Sequence, residues 1–332
     1  AQSEFDRARA LNPDFSGSFV GSALVAAKQG NFFLARKQLE QAIHKDNGFS
    51  DSFVAKGRII TMEGVSRGNE IDSWLEGAQR AFRKASRLAP EDDYADYHTG
   101  MSYLQAFKFD SALASFNKIM DRNKGPYMAR ALKQTERIQT IKRASPGSDH
   151  GMKISMNPEI TRAELAVLLI EELKLAELVR QHGPGNTREI FLTPEEYNSQ
   201  SKTVISDIQS SWAKPWIEEL LSLGIPGLEL MPDGHFRPDE VITRATYART
   251  NAAIVTLISH DPDLVTQYIG ESPRFPDVRR DSFAYNAIAL SIDRGIMTVD
   301  PISGRFRPDD NVSGAEALLI IRRLQNAVRM EF

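Results

Sequence analysis

"FRPDEVITRA" at residues 236–245 returns as "FRPDDNVSGA" at 306–315: a Phe-x-Pro turn and a helix start are kept, while Thr-Arg gives way to Ser-Gly. Outward from this pair the match continues. "ISDIQSSWAKPWIEELLSLGI" (205–225) aligns with "FPDVRRDSFAYNAIALSIDRGI" (275–296), each with an acidic start, an aromatic, an amphipathic stretch and a closing Gly-Ile. Asp207 and Asp277 stand as far apart in sequence as Phe236 and Phe306, so acidic start and turn repeat in one register. A third, partial copy, "NPEITRAELAVLLIEEL" (157–173), precedes "EVITRATYARTNAAIV" at a longer interval. Three copies of a second helix and two clear copies of a first predict an α-helical repeat domain.

The N-terminal half carries a different period. Ala1, Ala35, Ala78 and Ala112 each stand four residues before Phe5, Leu39, Phe82 or Phe116, and seven before Ala8, Ala42, Ala85 or Ile119. The first and last intervals between these alanines are equal, and turn residues follow at Pro13, Asn47 and Pro90. Gly100 supplies a small position upstream where two helices must approach closely. The middle interval holds a nine-residue excess, "GVSRGNEID" (Gly64 to Asp72), whose turn formers predict a longer loop between two helices. "PYMARALKQTERIQTIKRAS" predicts a capping helix with Pro126 in its first turn and Lys133, Arg137, Lys142 and Arg143 on a polar outer face. The turn-rich "SPGSDHG" (Ser145 to Gly151) then marks a boundary, giving domains 1–145 and 146–332.

Composition bounds the function. The 332 residues suit about two domains, and 41% hydrophobic with 26% charged residues is the balance of a folded chain. A net charge of -3 supplies no basic field for nucleic acid. No apolar run reaches the roughly 18 residues of a membrane span. With no cysteine, disulfides, thiolate metal sites and cysteine nucleophiles are excluded. His44, His98, His150, His182, His235 and His260 never adopt metalloprotease spacing, and neither a phosphate-binding loop nor a nucleophile elbow occurs. Glu171-Glu172 and Glu218-Glu219 read as solvated helix faces, and "DPISG" (300–304) lacks the alternating oxygens of a calcium loop. The chain is expected to be no enzyme, with no cofactor and no metal.

The N-terminal period resembles the tetratricopeptide repeat, a helix-turn-helix unit of about 34 residues. The resemblance implies a solenoid with a protein-binding groove lined by first helices: Val20, Leu24 and Lys28, then Val54, Arg58 and Thr61, then Tyr97, Met101, Leu104 and Gln105. Several of these apolar residues equally suit packing between repeats. With Lys28 and Arg58 as sparse cations, the groove is expected to prefer an apolar or amphipathic segment to an acidic tail. The first repeat is truncated at Ala1, which predicts a longer precursor.

The C-terminal motifs resemble the S-layer homology family: "GHFRPD" (234–239) and "GRFRPD" (304–309) as its turn, and "ITRAE", "ITRAT" and "VSGAE" (from 160, 242 and 312) as its second-helix starts. Repeats fall at about 151–182, 204–260 and 274–330, with a spacer "GPGNTREIFLTPEEYNSQSKT" (183–203) and no recognisable first helix in the first. That resemblance implies an all-α, pseudo-threefold bundle whose grooves bind peptidoglycan or a secondary cell-wall polymer.

Local chemistry separates residue roles. Thr161-x-x-Glu164 and Ser313-x-x-Glu316 are capping boxes. Arg162 and Arg244 occupy first turns, where the helix dipole disfavours a cation by up to about 1 kcal/mol. Each either pairs with a carboxylate of a neighbouring repeat or offers a forked donor to a ligand. Because Gly314 replaces the arginine while the cap stays, we assign the cap to the fold and the arginine to the ligand. Trp212 aligns with Phe283 and is expected in the core. Trp216 aligns with Ala287, which frees it for sugar stacking or an interface. The candidate glycan set is Arg162, Arg244, Thr161, Thr243, Trp216 and Trp212. Together the resemblances imply an exported scaffold or anchor in a bacterial cell envelope, in the periplasm or on the surface, binding wall glycan and a protein partner. The alternatives are an assembly factor whose bundle binds protein, and a cytoplasmic co-chaperone.

Overall fold

A computed structural model of the protein describes residues 2–182, 205–225 and 227–331, so the expected spacer at 183–203 lies outside the described residues. The chain divides into two compact units, Ala1–Ile138 and Gln139–Phe332. Both are helical, and their described residues carry isolated β-bridges but no strand.

In the first unit, α1 (Gln2–Leu11) precedes three hairpins: α2 (Ser16–Lys28) with α3 (Phe32–Lys45), α4 (Ser50–Arg67) with α5 (Ile71–Leu88), and α6 (Asp93–Gln105) with α7 (Phe109–Arg122). The recurring alanines Ala35, Ala78 and Ala112 are fully buried, and so are Phe82 and Phe116 to within 1%. Small residues opposite them set the approach of each hairpin. A Cβ on Gly57 would come within 2.5 Å of the Phe82 ring, and one on Gly100 within 2.6 Å of Phe116. Burying each such aromatic contributes about 1.5–3 kcal/mol, so a methyl group at either glycine would displace a main source of hairpin stability.

The nine-residue excess does not form the expected loop. Helices α4 and α5 have 18 residues each, against 13 and 14 in the first hairpin, and three residues join them. Gly68, with φ 63°, ends α4 in the left-handed region. The added turns are held by Trp74, 6% exposed, whose side chain lies against Gly64. Helix α8 (Met128–Ala144) begins two residues after Pro126, which therefore precedes the first turn.

The second unit contains α9 (Asp149–Ser155), α10 (Arg162–Glu171), α11 (Leu175–His182), α12 (Lys214–Ser222), α13 (Arg244–Ser259), α14 (Tyr285–Asp293) and α15 (Gly314–Glu331). Helix α9 is the first helix that the first repeat seemed to lack; at seven residues it is too short to show a period. Each second helix rests on the first helix of the next repeat: α10 on α12, α13 on α14, and α15 back on α9. At the centre, Ile242 N–H donates to Ile160 O (2.9 Å), Val312 N–H to Ile242 O (3.0 Å), and Ile160 N–H to Val312 O (2.9 Å). Three residues at equivalent positions thus close a ring, which is the pseudo-threefold arrangement in hydrogen bonds. All three side chains are at most 1% exposed, so unpaired amides there would carry the full cost of desolvation.

Candidate functional site

The seams between repeats are built from the repeated motifs. In each long loop an aspartate receives two successive backbone N–H groups: Asp207 from Phe236 and Arg237 (3.2 and 2.6 Å), and Asp277 from Phe306 and Arg307 (2.9 and 2.7 Å). Arg237 and Arg307 have φ of 58° and 59°, a conformation that costs a non-glycine residue about 1–2 kcal/mol. Charged hydrogen bonds of about 1.5–3 kcal/mol offset that cost. The turn drives Phe236 and Phe306 inward, both fully buried.

The arginine of the preceding repeat clasps this turn. Arg162 Nε donates to Phe236 O (2.8 Å) and Nη2 to Glu229 O (2.9 Å), with the guanidinium 4.8 Å above the Phe236 ring. Arg244 repeats the clasp on Phe306 O (2.8 Å) and Thr298 O (2.7 Å), 4.7 Å above Phe306. Arg162 is 3% exposed, and burial pulls its pKa below the ordinary value. No carboxylate pairs with it among the described residues. Arg244 pairs with Glu316 of the next repeat. Burial raises the Glu316 pKa despite that partner.

Gly314 completes the comparison with the two arginines. Its next repeat is the first, which has a short connection in place of the Phe-x-Pro loop. Gly314 N–H donates to Asn157 O (3.0 Å), and a Cβ at Gly314 would overlap the Ile154 carbonyl oxygen. Arginine is present where a loop waits to be clasped and absent where helix α9 fills the space. Both arginines therefore tie their helix to the loop of the next repeat, Arg162 buried and Arg244 with part of its side chain left at the surface. Thr161 closes its full box with Glu164, whereas Thr243 and Ser313 receive the Thr246 and Glu316 N–H groups (3.3 Å each). Glu316 is drawn away to Arg244, so the Ser313 box is half formed.

The tryptophans exchange their expected roles. Ala213 takes the core position, leaving Trp212 53% exposed, while Trp216 is half-buried against the core. Their rings lie 5.9 Å apart. His150 of α9 stacks on Trp212 (5.7 Å, 20°) and meets Trp216 edge-on at 4.9 Å. Glu171 Oε1 of α10 accepts from Trp216 Nε1 (3.1 Å) and lies 3.0 Å from His150 Nδ1. The result is a ring platform across the first seam, one face open. Phe283, at the position equivalent to Trp212, is 81% exposed beneath Arg249. Sequence reasoning missed His150 and Glu171 because they belong to the unrecognised first helix and to a pair taken as solvated. Its neighbour Glu172 is not solvated either: it accepts from Gly147 N, Ser148 N and Ser148 Oγ and pairs with Arg322. The "SPGSDHG" stretch is pinned into the second unit by these bonds.

The second seam opens beside Arg244 as a cavity of about 240 Å³ lined by Thr298, Asp300, Arg305, Arg307, Asp310 and Glu316. In the first unit, Val20, Val54 and Leu104 are 6%, 1% and 0% exposed. They fill the space between helices and have no face for a partner. Leu24, Arg58, Tyr97 and Met101 are half-buried, and Lys28 is exposed.

Compared with known families, residues 204–248 and 274–318 match the S-layer homology domain. Those two stretches are the second and third repeats of the bundle, each containing one first helix, one clasped loop and one helix start. No curated protein matches the chain.

Proposed function

We propose that this chain is an anchor of the cell envelope, its bundle holding a wall polymer and its N-terminal hairpins holding a protein. S-layer homology domains are wall-polymer-binding modules rather than catalysts, which supports the coarse part of this reading. The observation that carries the finer part is the platform of Trp212, His150 and Trp216 at a seam between repeats. A half-exposed indole with one ring face supported and the other open suits stacking against a pyranose, and the carboxylate of Glu171 fixes the ring beside it. Arg244, at the mouth of the second-seam cavity, is the arginine with surface to meet a ligand. Arg162, Thr161 and Thr243 hold the seams in shape from behind.

The side-by-side first helices α2, α4 and α6 support a tetratricopeptide-like reading of the first unit. Leu24, Met101 and Tyr97 offer apolar surface there for an amphipathic segment. No described helix is long and apolar enough to cross a membrane. Cosedimentation of the full chain with purified sacculi tests the proposal. Sedimentation that Trp212→Ala weakens supports it; a chain left in the supernatant with intact sacculi overturns it in favour of a protein-binding bundle.

A further inference from the structure

Two guanidinium groups gather on one aromatic layer at a corner of the first unit. Tyr127 stacks on Tyr94 (5.7 Å, 25°) and lies 4.9 Å from Tyr97, forming an aromatic layer beside His98. Two guanidinium groups attach to it. Arg58 Nη1 of α4 donates to Tyr94 OH (2.8 Å), and Arg130 lies 5.4 Å above the Tyr127 ring. Neither arginine pairs with a carboxylate among the described residues. Arg130 also occupies the first turn of α8, which contains no acidic residue, so the positive end of the helix dipole adds to the two cations. Asp92 acts on Tyr127 too, but its side chain is taken up as the cap of α6, accepting from Tyr94 N–H. The charge is felt inside: burial first, then Arg58 and Arg130, lower the His98 pKa to about 3. The register of first helices counted Arg58 but left Arg130 in the capping helix, which is why the corner looked poor in cations.

We propose that this corner binds a carboxylate side chain of the partner segment, seated between Arg58 and Arg130 with an adjoining apolar side chain laid on the tyrosines. The proposal rests on the groove reading above and narrows its occupant to an acidic, amphipathic peptide. Carboxylate suits the site because it accepts bidentately from guanidinium forks, and the tyrosine layer favours an organic group over a bare inorganic ion.

Two capped pentapeptides of alternating leucine, glutamate and phenylalanine, one with its glutamates replaced by glutamine, test this by calorimetry on the full chain. The glutamate peptide is expected to bind at least tenfold tighter, and Arg130→Ala, at an exposed position, to erase the difference. Arg58→Lys keeps the charge but loses the fork, and should cost part of it. Bound carboxylate should also raise the His98 titration point, followed through its ring proton resonance. Equal affinity of the two peptides, or a preference untouched by Arg130→Ala, overturns the proposal while leaving the groove reading intact. Failure of both peptides to bind overturns both. Inorganic phosphate displacing the glutamate peptide at an equal concentration marks a plain anion site and also overturns it.

Discussion

Gly314 and Ile154 stand so close that no side chain fits between them: a Cβ on Gly314 would overlap the Ile154 carbonyl oxygen and come within 2.6 Å of its carbon. The obstacle is backbone at the end of α9, so it cannot swing aside as a side chain would. Gly314→Ala should therefore cost about 3 kcal/mol or more, the upper range for overpacking, read as a lowered urea midpoint at unchanged slope. An alanine variant as stable as the parent would mean that α9 is not seated there.

Arg162 presents the reverse case, a long side chain for which the fold has made room. Removing it strands the carbonyl of the fully buried Phe236, an orphaned acceptor worth about 1–3 kcal/mol, and releases the carbonyl of Glu229. Arg162→Ala should lower stability by about 3 kcal/mol while polymer binding per folded molecule stays the same. Calorimetric unfolding alongside sacculus cosedimentation separates the two effects. Weakened binding with an unchanged melting temperature would return the arginine to the ligand.

Much of this was legible, and what was hidden has physical causes. Period and small-large spacing place Ala78 one turn from Phe82 on one face of a helix and put Gly100 beside Phe116, because close packing of hairpins leaves a mark in every repeat. The nine added residues were misplaced since Gly64 and Gly68 read as turn formers, although Gly64 serves instead as the seat of Trp74. The clasp of the arginines was hidden because what holds a loop in the next repeat leaves no sign in its own helix. Trp212 was misplaced because an aromatic recurring at one position in both copies was equated with burial, whereas both Trp212 and Phe283 stand outside the core.

Glu172 should make the second unit acid-sensitive. Burial pushes its pKa up, but hydrogen bonds from Gly147 and Ser148 and the charge of Arg322 outweigh this, and the net value lies below the ordinary one. A carboxylate depressed in the folded state contributes stability above its unfolded pKa, about 4.3, and loses it as pH falls through the folded value. Glu316 has the opposite shift, so its contribution fades as pH rises. Melting temperature measured from about pH 3 to pH 7 should fall at the acid end, and Glu172→Gln should flatten that limb while lowering the plateau near neutrality. An unchanged acid limb in the variant would assign the sensitivity elsewhere.

Trp212 offers the cleanest separation of binding from folding. Its side chain is more than half exposed, its neighbour Ala213 holds the core position, and the indole N–H that is bonded into the structure belongs to Trp216. Trp212→Ala should thus change stability by less than about 1 kcal/mol, as expected for an exposed site. If the platform stacks a sugar ring, the same change should weaken polymer binding by about 1–2 kcal/mol, the lower range for an aromatic anchor. Trp212→Phe should recover part of it, because Phe283 shows that the position accepts a smaller ring. Tryptophan fluorescence gives a direct readout, since Trp212 is the most exposed of the three indoles. Polymer that binds without shifting the emission, and binds Trp212→Ala equally well, would move the wall contact to the cavity beside Arg244.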